Sequence, residues 1–271
     1  MSISRLTIAS VLTLGLCAFG CEKGSAPGEL APAASGALSA PKAASEKSVV
    51  VMIEPGTSSA KFLMDSPLEK IDGDAPGSLS GELSIDLEDL SQSKGLVRVD
   101  LDKLTLYQQK RADEQSQYGE RKKSDKQNEH ARDWFQIVPH EGEVTAEQAS
   151  RNRFAELRID KVETPVKSVL GMPGAERKVT ATISGLMQLH GRQAPKSAKV
   201  ELTFRFDGDK FESVSVKSLE PLVVELEKFE IHPRDAAGKL TKTITETIAT
   251  TLKGKVKNEA PVTIELTARP R

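Results

Sequence analysis

Residues 179–206, VTATISGLMQLHGRQAPKSAKVELTFRF, carry the pattern that decides the fold. Within 179–189 and 200–206, apolar residues or Gly occupy every second position, and mostly polar or charged side chains fill the positions between. This period of two is typical of antiparallel β-strands with one face in water. Gly191 and Arg192 lie between the two runs and predict a turn. The stretch therefore predicts two long antiparallel strands.

The same alternation recurs from Lys47 to the end of the chain. Its phase reverses at Lys103, which predicts a bulge or bend in that strand. Turn signals are found at residues 72–74 and 207–209. Together the alternating runs predict about eight to ten strands, at residues 48–53, around Phe62, and at 79–88, 97–106, 155–160, 179–189, 200–206, 211–217, 222–229 and 262–268.

Strands of this length would expose unpaired edges in an open sheet, and a closed or nearly closed sheet hides those edges. We therefore predict an all-β fold, an antiparallel β-barrel of about eight strands. At that size the interior just holds side chains or one small ligand. One or two short helices are expected outside the barrel wall, within residues 128–138 and 241–252.

One tract departs from the strand pattern. Residues 108–132 carry many charges of both signs and almost no apolar side chain apart from Tyr118. We expect a solvated loop that can be disordered, and a charged docking patch is the alternative.

Composition excludes several classes of function. The 271 residues carry 38 Lys and Arg against 39 Asp and Glu, a formal net charge of −1, and only 4% are aromatic. Nucleic-acid binding is therefore not expected, because it normally needs a basic excess or stacking aromatics. Both cysteines, Cys17 and Cys21, lie near the N-terminus. The rest of the chain has no thiolate nucleophile, cysteine zinc site or disulfide.

The first residues predict export. Arg5, the apolar run from Leu6 to Phe19 and the small residues after it are typical of a signal peptide, assigned to residues 1–20. Ala18-Phe19-Gly20-Cys21 resembles a bacterial lipobox, in which the Cys carries the lipid. An ordinary secretory signal is the alternative. Residues 21–46 are rich in Ala, Gly, Ser and Pro and predict a lipid-anchored flexible linker. The barrel domain is assigned to residues 47–271.

Catalytic patterns are not found in the sequence. His130, His140, His190 and His232 show no metal-ligand spacing, and the chain has no nucleophile elbow and no Gly-rich phosphate loop. We therefore expect no catalytic residues, no metal site and no cofactor.

Two segments resemble the YceI family of bacterial periplasmic proteins. In ISGLMQLHGRQAPKSAKVEL the matching positions are Gly185, Leu186, Leu189, His190, Gly191 and Lys196. In NEHARDWFQI they are Asn128, His130, Trp134 and Phe135. The resemblance covers about residues 48–270. It departs from the family pattern in the enlarged charged tract, in the lipobox-like leader and at Glu230, where the family often has Gly.

The resemblance implies a lipocalin-like, lipid-binding barrel with an elongated apolar pocket for an isoprenoid-like chain. If the apolar stripes face inward, the candidate lining residues are Leu83, Ile85, Val97, Val99, Ile183, Met187, Leu202, Phe204, Ile264 and Leu266. Phe62, Trp134 and Phe135 are candidates to close or floor the pocket.

The leading hypothesis is a non-catalytic protein that carries or sequesters a long apolar ligand, such as an isoprenoid, a quinone or a fatty chain. It would be anchored through Cys21 on the periplasmic side of the bacterial envelope. We expect the outer membrane, because Glu22 is not a signal for inner-membrane retention. An interaction module with a filled barrel is the first alternative, and an enzyme acting on lipids or oxidants is the second. The oligomeric state stays open, with a homodimer as one alternative.

Overall fold

A closed ring of antiparallel strands forms the body of the protein. The computed structural model describes residues 29–43, 45–65, 68–141, 143–232 and 259–271. The predicted signal peptide, Cys21 and the predicted helix at 241–252 lie outside these ranges. Neither described helix is long and apolar enough to cross a membrane.

Thirteen strands and two α-helices are found in the described ranges. The strands are β1 (Val49–Ile53), β2 (Ser59–Asp65), β3 (Glu69–Pro76), β4 (Leu79–Ile85), β5 (Lys94–Asp100), β6 (Thr105–Lys110), β7 (Lys122–Lys123), β8 (Phe154–Glu163), β9 (Glu176–Leu189), β10 (Arg192–Asp207), β11 (Lys210–Ser218), β12 (Leu222–Glu225) and β13 (Glu259–Pro270). The helices are α1 (Asp125–Trp134) and α2 (Ala146–Asn152).

Eight strands close the barrel, in the order β1-β4-β5-β8-β9-β10-β11-β13 and back to β1. Every pairing in this ring is antiparallel. The first half of β13 also pairs with β12 and β2, and the sheet continues through β3, β6 and β7. The predicted all-β antiparallel barrel of about eight strands with short helices is confirmed.

Two ends of the barrel are distinguished by their turns. The upper end holds the turns after β2 and β9, and the lower end holds the turns after β4 and β10. At the lower end Leu90, Val169 and Phe204 are fully buried. A second apolar cluster lies at the upper end around Phe229 and Ile231.

The phase reversal at Lys103 corresponds to a bend. A 3₁₀ turn, Leu101–Lys103, separates β5 from β6. The Asp100 side chain accepts a hydrogen bond from Asp102 N at this turn, and both of its oxygens accept from the Arg153 guanidinium, at 2.8 and 2.6 Å. The hydrogen bonds from Arg153 hold the pKa of the Asp100 carboxyl below its usual value. Beyond the bend β6 leaves β8 and pairs with β3 and β7.

At two positions close packing requires glycine. The first, Gly73, lies in the segment 72–74, where the predicted turn is wrong because the segment lies inside β3. A side chain on Gly73 would overlap the Phe62 ring, so Gly is needed where that ring crosses the neighbouring strand. Gly185 on β9 lies so close to β8 that a Cβ there would be 1.7 Å from Arg158 O. The register of β8 and β9 shifts at this place, which bends the wall.

The charged tract is partly folded, so the prediction of a solvated loop over 108–132 is wrong for about half of its length, while residues 111–121 have no helix or strand. Residues 108–110 extend β6, Lys122 and Lys123 form β7, and α1 begins at Asp125 after the N-cap Ser124. The Arg121 guanidinium stacks over Tyr107 at 3.5 Å and pairs with Asp72. Stacking and ion pairing with strand side chains thus order a segment that has little apolar surface.

Part of the predicted flexible linker also contacts the barrel. Residues 31–38, which we call the strap, bury Ala31 and Leu38 against its outer surface. Ala33 forms an antiparallel bridge with Arg192. For the strap, the expectation of a flexible chain is therefore wrong, because backbone pairing and two buried apolar side chains fix it despite its composition.

Candidate functional site

An apolar cavity lies inside the upper half of the barrel. Its volume is about 120 Å³. The walls come from β2, β3, β5, β6, β8, β9, β12 and β13, and α1 covers one side. The lining residues are Ala60, Lys61, Phe62, Met64, Ala75, Val97, Val99, Leu101, Leu104, Leu106, Ala131, Trp134, Phe135, Ala155, Glu156, Leu157, Met187, Leu189, Leu222, Val224, Leu226, Ile231, Ala260, Val262 and Ile264.

The divergence of β6 from β8 opens the space in which α1 lies. The last β5–β8 partners are Asp100 and Phe154. Beyond them Asn128 of α1 pairs with β6, because its Oδ1 accepts from Leu106 N at 2.8 Å and its Nδ2 donates to Leu106 O at 3.0 Å. The Asn128 amide thereby substitutes for a neighbouring strand and fixes α1 against the wall.

Three residues at the C-terminal end of α1 line the cavity. Ala131 is buried, while Trp134 and Phe135 are half-buried. Trp134 Nε1 is buried and has no hydrogen-bond partner among the described residues. A buried donor without a partner is costly. The indole is therefore the polar group of this lining that a ligand oxygen could stabilise.

The two charged residues of the lining direct their charged groups to other partners or to solvent. Lys61 and Glu156 are the charged residues of the lining, but Lys61 is exposed. The Glu156 carboxylate pairs with Arg98 Nε at 2.5 Å and accepts from Leu38 N at 2.9 Å. The interior surface is thus formed almost entirely by hydrocarbon, an environment that favours an apolar guest.

Below this cavity the barrel narrows but keeps two smaller spaces, of about 50 and 40 Å³. The 40 Å³ space shares Val97, Leu157 and Ile264 with the upper cavity. The 50 Å³ space shares Leu83 and Ile183 with the 40 Å³ space. Three gaps with common walls therefore follow the barrel from its upper to its lower half.

The structure places all predicted lining residues on these interior gaps. Seven line the upper cavity: Phe62, Val97, Val99, Trp134, Phe135, Met187 and Ile264. Six lie on the smaller spaces of the lower half: Leu83, Ile85, Ile183, Leu202, Phe204 and Leu266. Phe204 and Leu266 are almost fully buried. Their geometry is that of a packed core, and ligand contact stays a prediction for the whole set.

Several cavity residues were not among the predicted ones. Leu104 and Leu106 were visible as an alternating pair in the opposite phase, and Leu157 was part of a predicted strand. Leu226 continues the alternation of Leu222 and Val224, but Ile231 could not be found by a period of two, because it follows the 3₁₀ turn Leu226–Phe229. Small residues such as Ala155 and Ala260 give no hydrophobic signal, yet their size leaves the space open.

His190 lies in the turn after β9 and is buried. The turn predicted at Gly191-Arg192 is centred one residue earlier, on His190 (φ 50°) and Gly191 (φ 70°). Positive φ at both central residues is the type I′ geometry that suits hairpins. His190 Nδ1 donates to Phe229 O at 2.8 Å, and burial lowers the pKa of the imidazole. No cluster of three His, Cys, Asp or Glu residues that could bind a metal is found in the described ranges.

Comparison with known proteins gives similarity to solved structures alone. No family model and no curated protein matches the sequence. A polyisoprenoid-binding domain from Saccharophagus degradans, described as implicated in plant cell wall breakdown, is 16% identical, with a TM-score of 0.45; the match covers 82% of this chain and 99% of that chain. Burkholderia cenocepacia BcnA is 12% identical, with a TM-score of 0.45 and coverage of 79% and 98%. Both TM-scores lie below 0.5, and the fold given above rests on this chain's own strand pairings.

Proposed function

We propose that this protein binds a long apolar molecule, such as an isoprenoid, a quinone or a fatty chain, and carries or sequesters it without chemical change. The apolar cavity beneath α1 carries this proposal. An apolar chain gains about 25 cal/mol for each Å² that it removes from water. The hydrocarbon lining supplies such a surface, and it offers no charged group to hold a polar substrate.

The gaps in the barrel suggest how a chain would be seated. One end would occupy the upper cavity, whose size is on the order of the ~150 Å³ cavity that accepts benzene in an engineered protein. A longer chain would continue into the two smaller spaces after side chains such as Ile183 and Leu157 change rotamer. The Trp134 indole N–H would favour a ligand with an oxygen near the upper end.

Family and location are part of the same proposal. The motif residues Asn128, His190 and Gly191 have structural roles, which supports membership of the YceI family. The lipobox-like Cys21 supports a lipid anchor on the periplasmic side of the outer membrane, with residues 1–20 removed as a signal peptide and the barrel domain following from residue 47.

A titration with a fluorescent polyene fatty acid tests binding. Ala155→Phe should fill the upper cavity and weaken binding at least tenfold, because the added ring takes the volume of the guest. Ala149→Phe on α2, a buried alanine outside the lining, is the matched control for overpacking. Equal affinities in the wild type and Ala155→Phe, with both folded by circular dichroism, would contradict the cavity as the binding site.

A further inference from the structure

The strap joins the barrel at one end. It enters at the upper end, where Ala31 N donates to Lys228 O at 2.8 Å and Ala34 N donates to Gly191 O at 2.7 Å. Arg192 Nη1 donates to Ala31 O at 2.7 Å. The chain before Ala31 therefore joins the barrel beside the turn after β9.

From there the chain runs down the outer face of the barrel. Leu38 is held on β8 and β5, because its N–H donates to the buried Glu156 carboxylate and its carbonyl accepts from Arg98. At the lower end Lys47 pairs with Glu88 at 2.5 Å. These contacts remove residues 31–46 from the length that separates a lipidated Cys21 from the barrel.

The remaining length is short compared with the barrel. Ten residues from Cys21 to Ala31 span at most about 35 Å. The 16 residues of β10 reach from the upper to the lower end. A strand of that length extends about 53 Å, or about 40 Å along the axis of a barrel whose strands tilt by about 40°. The lower end therefore lies beyond the reach of a chain fixed at the upper end.

Four of the seven large apolar side chains that are exposed in the described ranges lie toward the upper end. Leu30, Leu63, Leu68 and Val223, which we call the rim residues, are 46%, 39%, 42% and 42% exposed, and the other three are Val50, Leu170 and Leu219. Val223 pairs with Pro261 on the outer face, and Leu68 lies in the turn between β2 and β3. Apolar side chains clustered on one end of a protein are typical of a contact surface.

We infer that the rim residues dock the upper end of the barrel on the bilayer surface that holds the lipid anchor, which places the apolar cavity next to the membrane. The inference rests on the proposed function, because it needs the anchor at Cys21. Docking in this orientation shortens the path of an apolar ligand through water between the bilayer and the cavity.

Two single-cysteine variants test the orientation on vesicles of phosphatidylethanolamine and phosphatidylglycerol. Lipidated full-length protein, with its acyl groups verified by mass spectrometry, is labelled at Leu68→Cys or at Leu170→Cys with an environment-sensitive dye. Leu170 is the matched control, because it is 46% exposed and lies at the lower end. After loss of the signal peptide and acylation of Cys21, no other thiol reacts.

We expect brominated lipid to quench the dye at residue 68 at least threefold more than the dye at residue 170. Adding Ala31→Glu and Leu38→Asp, which should release the strap, is expected to abolish that difference while circular dichroism shows a folded barrel. Equal quenching at the two sites, quenching at neither, or a chain without acyl groups would overturn the inference. Polyene binding is measured on the same samples, so that binding without rim quenching refutes docking alone, and rim quenching without binding refutes the ligand proposal alone.

Discussion

His190 shows how a single side chain connects two elements of the upper end. Its ring joins the turn after β9 to the carbonyl of Phe229, and Glu230, Arg192 and His232 are the charged or titratable groups that act on it. Burial is the largest influence and favours the neutral imidazole. Nε2 has no partner among the described residues, so a proton added there would be poorly stabilised.

Protonation of His190 should therefore destabilise the fold. The pKa of His190 in the folded chain lies below the value of about 6.5 expected after unfolding. The unfolded chain then binds more protons as the pH falls through that range, and the free energy of unfolding decreases. We expect the wild type to lose more stability between about pH 7 and about pH 5 than His190→Asn, since Asn tolerates the positive φ of this turn and does not titrate. Urea unfolding at a series of pH values measures this, and parallel profiles would refute the role of His190.

Glu230 lies where the YceI family, which the sequence resembles, often has Gly. It has φ 57° and ends the 3₁₀ turn Leu226–Phe229, a conformation that Gly adopts with the least strain. Arg192 pairs with the Glu230 carboxylate at 2.6 Å and lowers its pKa. Glu230 thus has the backbone conformation that favours Gly, and it makes an ion pair with Arg192 that Gly could not make.

At the level of the elements, α1 acts as one wall of the cavity, and its attachment can be tested separately from its helicity. Asn128→Leu keeps the size of the side chain but removes both hydrogen bonds to Leu106. Leu106 O keeps its hydrogen bond from Ser124 N, but leaving the Leu106 N–H without a partner should cost about 1–3 kcal/mol of unfolding free energy. Glu129→Leu, on the exposed side of the same helix, is the control and should change stability by less than about 0.5 kcal/mol.

Asn128→Leu and Glu129→Leu should also differ in the rate of amide hydrogen exchange. We expect faster amide exchange over β6 in Asn128→Leu, because α1 no longer covers the Leu106 amide, and unchanged exchange in Glu129→Leu. Similar losses of stability in both variants would mean that α1 is held by general packing and not by the Asn128 amide.

Strands could be predicted from sequence to the extent that their two faces differ in polarity. The runs at 179–189 and 200–206 became β9 and β10, and the phase reversal at Lys103 became a bend. Local patterning failed where distant partners decide the structure. Gly73 indicates a turn until Phe62 is known to lie against it, and Arg121 indicates a loop until Asp72 and Tyr107 are near.

At the level of the whole molecule, closure of the barrel leaves an interior of two kinds. The alternation of apolar and polar residues shows which side chains point into the barrel, but it does not show whether those side chains pack against each other or leave a cavity. Phe204 and Val214 are buried in the lower half, where the spaces are small, while the upper half keeps the larger cavity, which small residues such as Ala155 line. For this reason the sequence predicted interior positions well and could not divide them between core and cavity.

The strap depends on the whole fold in the same way. Ala31, Ala34 and Leu38 donate backbone hydrogen bonds to Lys228, Gly191 and Glu156, which are more than a hundred residues away in sequence. The order of this stretch, which is rich in Ala, Ser and Pro, therefore depends on distant parts of the barrel.

Native mass spectrometry of the protein purified from its own host, followed by solvent extraction, shows whether the cavity holds an apolar ligand. We expect a noncovalent mass in addition to that of the acylated chain, released by solvent as an apolar compound and absent from Ala155→Phe. A chain that is purified without any apolar guest, and that binds none when lipid extract is added, would contradict the proposed binding.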